Sequence, residues 1–314
     1  KHIVLGGGGN IGFIMLAILS ESHKNKLWKI DDIESIYSVS AGAILGLILC
    51  LKIDFETVNQ YILERPYDFL KVETSILLKI ISEKGLYDVN IFTILFKPLL
   101  NSVDLSTEVT FKELYDYSKI EYNVILTELD SFNSECFSYK THPDTKVIDV
   151  ITGSCGIPVI FKPTIINDKY YFDGGLFNNF PIELCKNEQN CNYNEIFGLC
   201  KDCEDYYSGM KINNLLEYII TITNKILISC STNNTRLIKE KISNADSYIF
   251  YIKSTPVTFY SIVKMANYET RKQLFESGIN IYNEKYKVDN FESDISNCSL
   301  KNTIIDDISQ NDIF

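Results

Sequence analysis

Twice within the first 51 residues, a short apolar run meets a cluster of small residues and passes into a longer apolar run. The first instance is Lys1–Leu5, then Gly6–Gly9, then Ile11 to about Ser22. The second is Ile33–Val39, running through Ser38-Val39-Ser40-Ala41-Gly42 into Ala41–Leu51. A short run bounded by turn residues reads as a strand, and the longer run after it reads as a helix. Strand, turn and helix repeated in that order build a parallel sheet with crossover helices. Further strands are expected at Asn123–Thr127, Val159–Lys162, Tyr170–Phe172, Glu195–Leu199 and Ser247–Ile252. Several are almost wholly apolar, as parallel strands covered on both faces are. The stretch from Phe55 to about Tyr117 reads as mostly helical, and Asn213–Ser229 and Tyr268–Tyr286 as two more helices. The expected fold class is α/β, three layers deep (α/β/α), with a central, mainly parallel sheet. With no repeat and no linker, one domain is expected over residues 1–283. Residues 284–314 hold seven acids and three lysines and are expected to form an acidic, loosely attached tail.

The two turns carry the chemistry. Gly6-Gly7-Gly8-Gly9-Asn10-Ile11-Gly12 leaves several backbone N–H groups uncovered at the positive end of a helix, which makes an anion site. The anion is either a bound phosphate or an oxyanion formed during acyl transfer. Gly7, Gly9 and Gly12 fit the glycine spacing of a dinucleotide fold. That reading also needs an acid at the end of the second strand. Asp31, Asp32 and Glu34 lie instead before it or at its start. The second strand ends in Ser40, flanked by small residues on a sharp strand-to-helix turn, which is the pattern of a nucleophile elbow. Ser38 stands where glycine is usual, and Gly42 keeps the other small position. The alternative is that Ser40 only caps a helix.

A serine nucleophile needs a base. The histidines are His2, His23 and His142, so none follows residue 142 and the late histidine of an α/β-hydrolase triad is missing. His2 and His23 are expected to face solvent, and His142, before Pro143, to lie on the surface. A carboxylate is therefore the expected base. The candidate is Asp173, followed by Gly174 and Gly175 after the aromatic run Tyr170-Tyr171-Phe172. Asp-Gly also makes plain hairpin turns, and spacing does not choose between the two.

Thirty basic residues against 41 acidic ones leave a net charge of −11. Nucleic acid is not an expected partner, since phosphate backbones are bound by clustered Lys and Arg. The same charge disfavours adhesion to anionic lipid through a basic surface. No run reaches the roughly 18 apolar residues of a membrane span. The nine cysteines, an odd number, fit reduced thiols in a cytosol-like compartment. The expected location is cytoplasmic, or peripheral at a membrane surface. The start at Lys1, with no Met, leaves room for a removed targeting segment. Cys185, Cys191, Cys200 and Cys203 lack the second paired spacing of a zinc site, so no metal is expected. Ile76–Ile81 and Ile91–Leu100 are read as core helices, with a lid or lipid-facing region as the alternative.

Three blocks in order resemble the patatin-like phospholipases, serine acyl hydrolases with a Ser–Asp dyad. Gly7-Gly8-Gly9-Asn10-Ile11-Gly12 resembles that family's oxyanion-hole block. Ser38-Val39-Ser40-Ala41-Gly42 resembles its nucleophile elbow, and Asp173-Gly174-Gly175 with Asn179 and Pro181 its aspartate block. Ser154-Cys155-Gly156-Ile157-Pro158, Gly85-Leu86-Tyr87-Asp88 and Thr127-Glu128-Leu129-Asp130 also sit where the family has similar runs. The likeness covers residues 3 to 182 and continues more weakly to the helix near Gly278. It implies a patatin-like fold and cleavage of phospholipids or other fatty-acyl esters through a Ser40 acyl-enzyme. Asp173 would be the base, and the Gly7, Gly8 and Gly9 amides the oxyanion hole. It implies no cofactor, no calcium requirement and transient contact with a membrane surface. Two departures stand out: Ile11 occupies the family's usual Arg or Lys position, and Ser38 replaces Gly. They keep open a weak or inactive lipid-binding protein on the same fold.

Overall fold

Alternation along the first two strands explains the architecture. In β1 (His2–Leu5) and β2 (Ser35–Ser38), Ile3, Leu5 and Ile36 join one buried apolar cluster, while Val4 and Tyr37 join another. Successive side chains of a strand point to opposite faces, so both faces of the sheet are covered. In this computed structural model, residues 1–70, 82–202, 215–242, 248–254 and 259–287 are described.

The remaining strands are β3 (Gly85–Tyr87), β4 (Glu121–Glu128), β5 (Asn133–Phe137), β6 (Val159–Phe161), β7 (Thr164–Ile166), β8 (Lys169–Asp173), β9 (Ile196–Asp202) and β10 (Ile249–Lys253). The main sheet runs in the order β10-β9-β1-β2-β4-β8-β7, and β5 also pairs with β4. Strands β10, β9, β1, β2 and β4 are parallel, while β5, β8 and β7 join antiparallel. β3 and β6 form a small parallel pair of their own.

The helices are α1 (Gly12–Lys24), α2 (Ala41–Cys50), α3 (Phe55–Glu64), α4 (Asn90–Asn101), α5 (Phe111–Ser118), α6 (Val147–Ser154), α7 (Gly175–Asn178), α8 (Ile182–Gln189), α9 (Leu215–Ile242), α10 (Phe259–Lys264) and α11 (Tyr268–Lys287). Apolar residues of α1, α2, α4 and α6 pack with Ile3, Leu5 and Ile36, while α8 and the end of α9 pack with Val4 and Tyr37. This is the expected three-layer α/β/α arrangement with a mainly parallel centre. The buried Arg271 guanidinium ties α11 to the end of α3 by donating to the carbonyls of Leu63 and Arg65.

Helix α4 buries Ile91, Phe92, Leu95, Phe96, Leu99 and Leu100, so Ile91–Leu100 is the expected core helix and not a lid. Other expectations change. Ile76–Ile81 lies outside the described residues. His2 does not face solvent. It is buried in the sheet, and its Nδ1 lies 2.8 Å from the Ser35 hydroxyl. His23 is half-buried against Trp28 and Phe55. The boundary placed at residue 284 falls inside α11, which continues to Lys287; residues 288–314 lie outside the described residues. Among the described residues, no helix is long and apolar enough to cross a membrane.

Candidate active site

The site sits where β1, β2 and β8 end. Ser40 lies between β2 and α2 with φ 53° and ψ −123°. That half of the backbone map strains any residue with a Cβ, and such strain persists only where its surroundings enforce it. The enforcing bonds are visible. Val39 N–H donates to Leu5 O at 3.0 Å, Gly42 N–H to Val39 O at 2.8 Å, and Ala43 N–H to Ser40 O at 2.8 Å. The Ser40 side chain caps nothing, which disposes of the helix-cap alternative.

Gly42 is small because α2 begins on top of β1. A Cβ there would lie 2.2 Å from the Leu5 carbonyl oxygen. The obstacle is backbone, so Gly42→Ala is expected to destabilise the fold by about 3 kcal/mol or more, by overpacking and backbone strain. Chemical denaturation would read this out as a fall in the unfolding midpoint. Ser38 is tolerated in place of glycine because its hydroxyl is fully buried yet satisfied, donating to Asn123 O at 3.1 Å.

Asp173 ends β8, and its carbonyl accepts the Thr127 hydroxyl at 3.0 Å. The Asp-Gly pair is not a hairpin turn: β8 runs on into the helical turn α7, and the hairpin lies upstream at Asn167-Asp168, where both residues have positive φ. The Gly175 N–H donates to Asp173 Oδ1 at 2.7 Å, and the Ser40 side chain lies close to the same carboxyl group. Burial raises the Asp173 pKa to about 6; the Gly175 N–H, the nearby Ser40 hydroxyl and the charge of Lys201 oppose that rise. Gly174 packs against the Ile125 carbonyl of β4. Cys155 also reaches Ser40, and burial holds its thiol neutral, well above the ordinary range.

The glycine loop divides its amides. Gly6 N–H donates to Leu199 O at 2.9 Å and Gly7 N–H to Asn179 O at 3.1 Å. The amides of Gly8 and Gly9 donate to nothing among the described residues. Gly9 adopts φ 60°, a conformation that favours glycine. Gly12 opens α1 beside Ala41. The Ile11 side chain is buried and folds over Gly8, where a Cβ would meet it at 2.2 Å. An apolar side chain therefore fills the place of the family's usual cation.

The roles of two residues were not foreseen. The Ser154 hydroxyl accepts the Ser40 N–H at 2.9 Å and donates to Ile125 O at 2.8 Å, so it anchors the elbow. Asn179 grips the glycine loop twice, since its carbonyl accepts the Gly7 N–H and its side-chain amide donates to Gly7 O at 3.2 Å. Both lie in stretches with a recognisable motif, but nothing local signals these bonds. The histidines stay apart from Ser40. His2 is held at the far end of β2, and His142 stacks on Phe137 with Nε2 3.3 Å from Glu135. The thiol of Cys200 donates to Lys201 O at 3.5 Å, and Cys185 lies beside Cys191; Cys203 lies outside the described residues. Among the described residues, no group of three or more His, Cys, Asp or Glu is placed to hold a metal.

An apolar cavity of about 350 Å³ adjoins the site, lined by Phe132, Val159, Phe161, Phe172, Leu176 and Ile226 among others. It reaches Gly156, whose carbonyl accepts the Asp173 N–H at 3.1 Å.

Comparison with known proteins bears on the family and the fold. A probable lipid hydrolase, 463L of Invertebrate iridescent virus 6, is 30% identical over 190 residues. That match covers 59% of this chain and 62% of the relative, so the chain spans less than two thirds of that protein's length. The uncharacterized protein R571 of Acanthamoeba polyphaga mimivirus is 24% identical over 227 residues, covering 71% of this chain and 74% of its own. Among solved structures, VipD from Legionella pneumophila superposes with a TM-score of 0.52 at 15% identity, over 88% of this chain and 67% of that one, a likeness of fold. The family model for patatin-like phospholipase matches residues 3–186, more than half of the chain, which therefore belongs to the patatin-like phospholipase family.

Proposed function

We propose that this protein is a serine lipid acyl hydrolase of phospholipase A type, cleaving fatty-acyl esters. The observation that carries the reading is Ser40, held strained on its turn, with its side chain beside the buried Asp173 carboxyl group. Family membership and the lipid-hydrolase relative support it.

The chemistry follows from the geometry. Ionised Asp173 takes the Ser40 proton as Oγ attacks the ester carbonyl. The oxyanion forms beside the uncommitted Gly8 and Gly9 amides, the donors this loop offers after Gly7 is spent on Asn179. The alcohol leaves with the proton from Asp173, and an acyl-enzyme remains. Water then gives a proton to Asp173 and attacks the acyl carbon. The fatty acid departs, and the Ser40 hydroxyl regains its proton. Asp173 carries each proton transferred in this cycle, so hydrolysis is expected to persist in a chelator. Ile11 over Gly8 favours a second reading, a lipid-binding protein with little turnover, because an apolar side chain and not a cation covers that amide turn.

Two assays separate the readings: hydrolysis of phospholipid vesicles and of a soluble fatty-acyl ester, each with chelator present. Cleavage supports the enzyme, and a folded protein that cleaves neither supports the binding protein. The pH profile adds a specific expectation. Because Asp173 must be ionised and its pKa is raised to about 6, kcat is expected to fall tenfold per pH unit below about pH 6. An ordinary exposed aspartate would hold activity to about pH 4. A profile flat down to that value would contradict a base with a raised pKa at Asp173.

A further inference from the structure

Helix α9 exposes Leu215, Tyr218, Ile219, Ile222 and Ile226. Their spacing places all five on one face of the helix. Leu215 is 72% exposed and Ile226 50%, far beyond what a packed stripe shows. The same side of the molecule carries three further exposed apolar residues: Leu129, Phe132 and Phe177. Phe132 meets Phe177 edge-on with centroids 5.1 Å apart, and it also approaches Phe172. Scattered exposed apolar residues are ordinary, but a contiguous set rimming a cavity marks an interaction surface.

The cavity identifies the occupant. Leu129, Phe132 and Ile226 belong both to the exposed set and to the cavity wall. The surface therefore continues inward, without a polar break at those residues, to Phe172 and Leu176, which flank the Asp173–Gly175 turn. A substrate arriving from an apolar phase would cross this face to reach the dyad. The net charge of −11 opposes adsorption to an anionic surface, and the stripe itself is uncharged. We infer that the exposed face of α9, with Leu129, Phe132 and Phe177, docks on an uncharged or zwitterionic lipid surface, from which the cavity takes an acyl chain. This rests on the reading of the site as that of a lipid acyl hydrolase. The helix would lie in the plane of the surface, with its tyrosine at the polar boundary.

The test uses the whole chain carrying Ser40→Ala, so that the lipid stays intact, and phosphatidylcholine vesicles in a flotation assay at low and high salt. Binding is expected at both salt concentrations, because apolar insertion is not screened as ionic contacts are. Adding Ile219→Asp and Ile222→Asp is expected to weaken binding at least tenfold, with circular dichroism unchanged because both side chains are already exposed. Leu215→Asp, at the other end of the stripe, provides a second variant. Binding unaltered by these changes would overturn the proposal, and so would a wild-type chain that fails to bind vesicles and loses self-association in the variants, which would assign the face to a second copy. The parent reading is tested apart. Hydrolysis of a soluble short-chain ester without vesicle binding refutes the docking face alone. Vesicle binding without hydrolysis of any ester refutes the enzyme and leaves the face standing.

Discussion

Ser40→Ala is expected to lower hydrolysis of a soluble fatty-acyl ester by about 10⁴-fold or more, while the protein stays folded. Removing the nucleophile of a serine hydrolase leaves the residual rate supplied by binding and oxyanion donors alone. The neighbouring Cys155 is not a ready substitute, because burial holds its thiol neutral. The backbone bonds that enforce the turn do not involve the hydroxyl, so alanine inherits the same strained φ of 53°. Ser40→Gly should be equally inactive but more stable, by about 1 kcal/mol, because glycine occupies that region without strain. Single-turnover assays and chemical denaturation of the two variants would check both points. A Ser40→Ala protein retaining a tenth of wild-type activity would dismiss Ser40 as nucleophile.

Asp173→Asn is expected to abolish turnover and to stabilise the fold near neutral pH. The folded-state pKa is raised from 3.8 to about 6, so the folded protein holds this proton more tightly than the unfolded chain. Stability from this group is fully present below about pH 4 and is lost as pH rises through about 6. At pH 7 to 8 the ionised carboxylate therefore costs about 3 kcal/mol, two pKa units at about 1.4 kcal/mol each. Asparagine has no charge to bury and can still accept the Gly175 N–H through its Oδ1. The variant should thus gain up to that amount at pH 8 and little at pH 4. Thermal unfolding of both proteins across that range tests the sign, and equal stability at pH 8 would contradict it. A buried carboxylate kept at this expense is typical of a group selected for chemistry rather than packing.

The parallel centre was legible because strands buried on both faces carry apolar runs: Ile3-Val4-Leu5 in β1, Val124-Ile125-Leu126 in β4 and Ile196-Phe197-Gly198-Leu199-Cys200 in β9. β5 was not, since Asn133, Ser134 and Glu135 of Asn133-Ser134-Glu135-Cys136-Phe137 are polar and of the five residues only Phe137 is buried. β7 was hidden by its length of three residues, although the Asn167-Asp168 turn after it was a readable signal, as Asn and Asp tolerate the positive φ such hairpins need. Ser40 and Asp173 were legible for a steric reason: a strained elbow and a close strand-end turn restrict their neighbours to small residues, and those neighbours show in the sequence. Ser154 and Asn179 act through hydrogen bonds to residues 114 and 172 positions away, which leave no local pattern. The commitment of the Gly7 amide to Asn179 was invisible for the same reason.

The Asn179 clasp also bears on the order in which the molecule comes to life. The elbow with Ser40 needs β1, β2 and α2, all within the first 50 residues, and such local units form early. Asp173, Asn179 and the β9 strand that receives the Gly6 amide all come from beyond residue 172. A ribosome-bound chain that has released only its first half therefore carries Ser40 without Asp173, without the Asn179 anchor of the glycine loop and without β9 beside β1. Joining the two halves closes a loop of more than a hundred residues, and the Ser40–Asp173 pair exists only once that loop is closed.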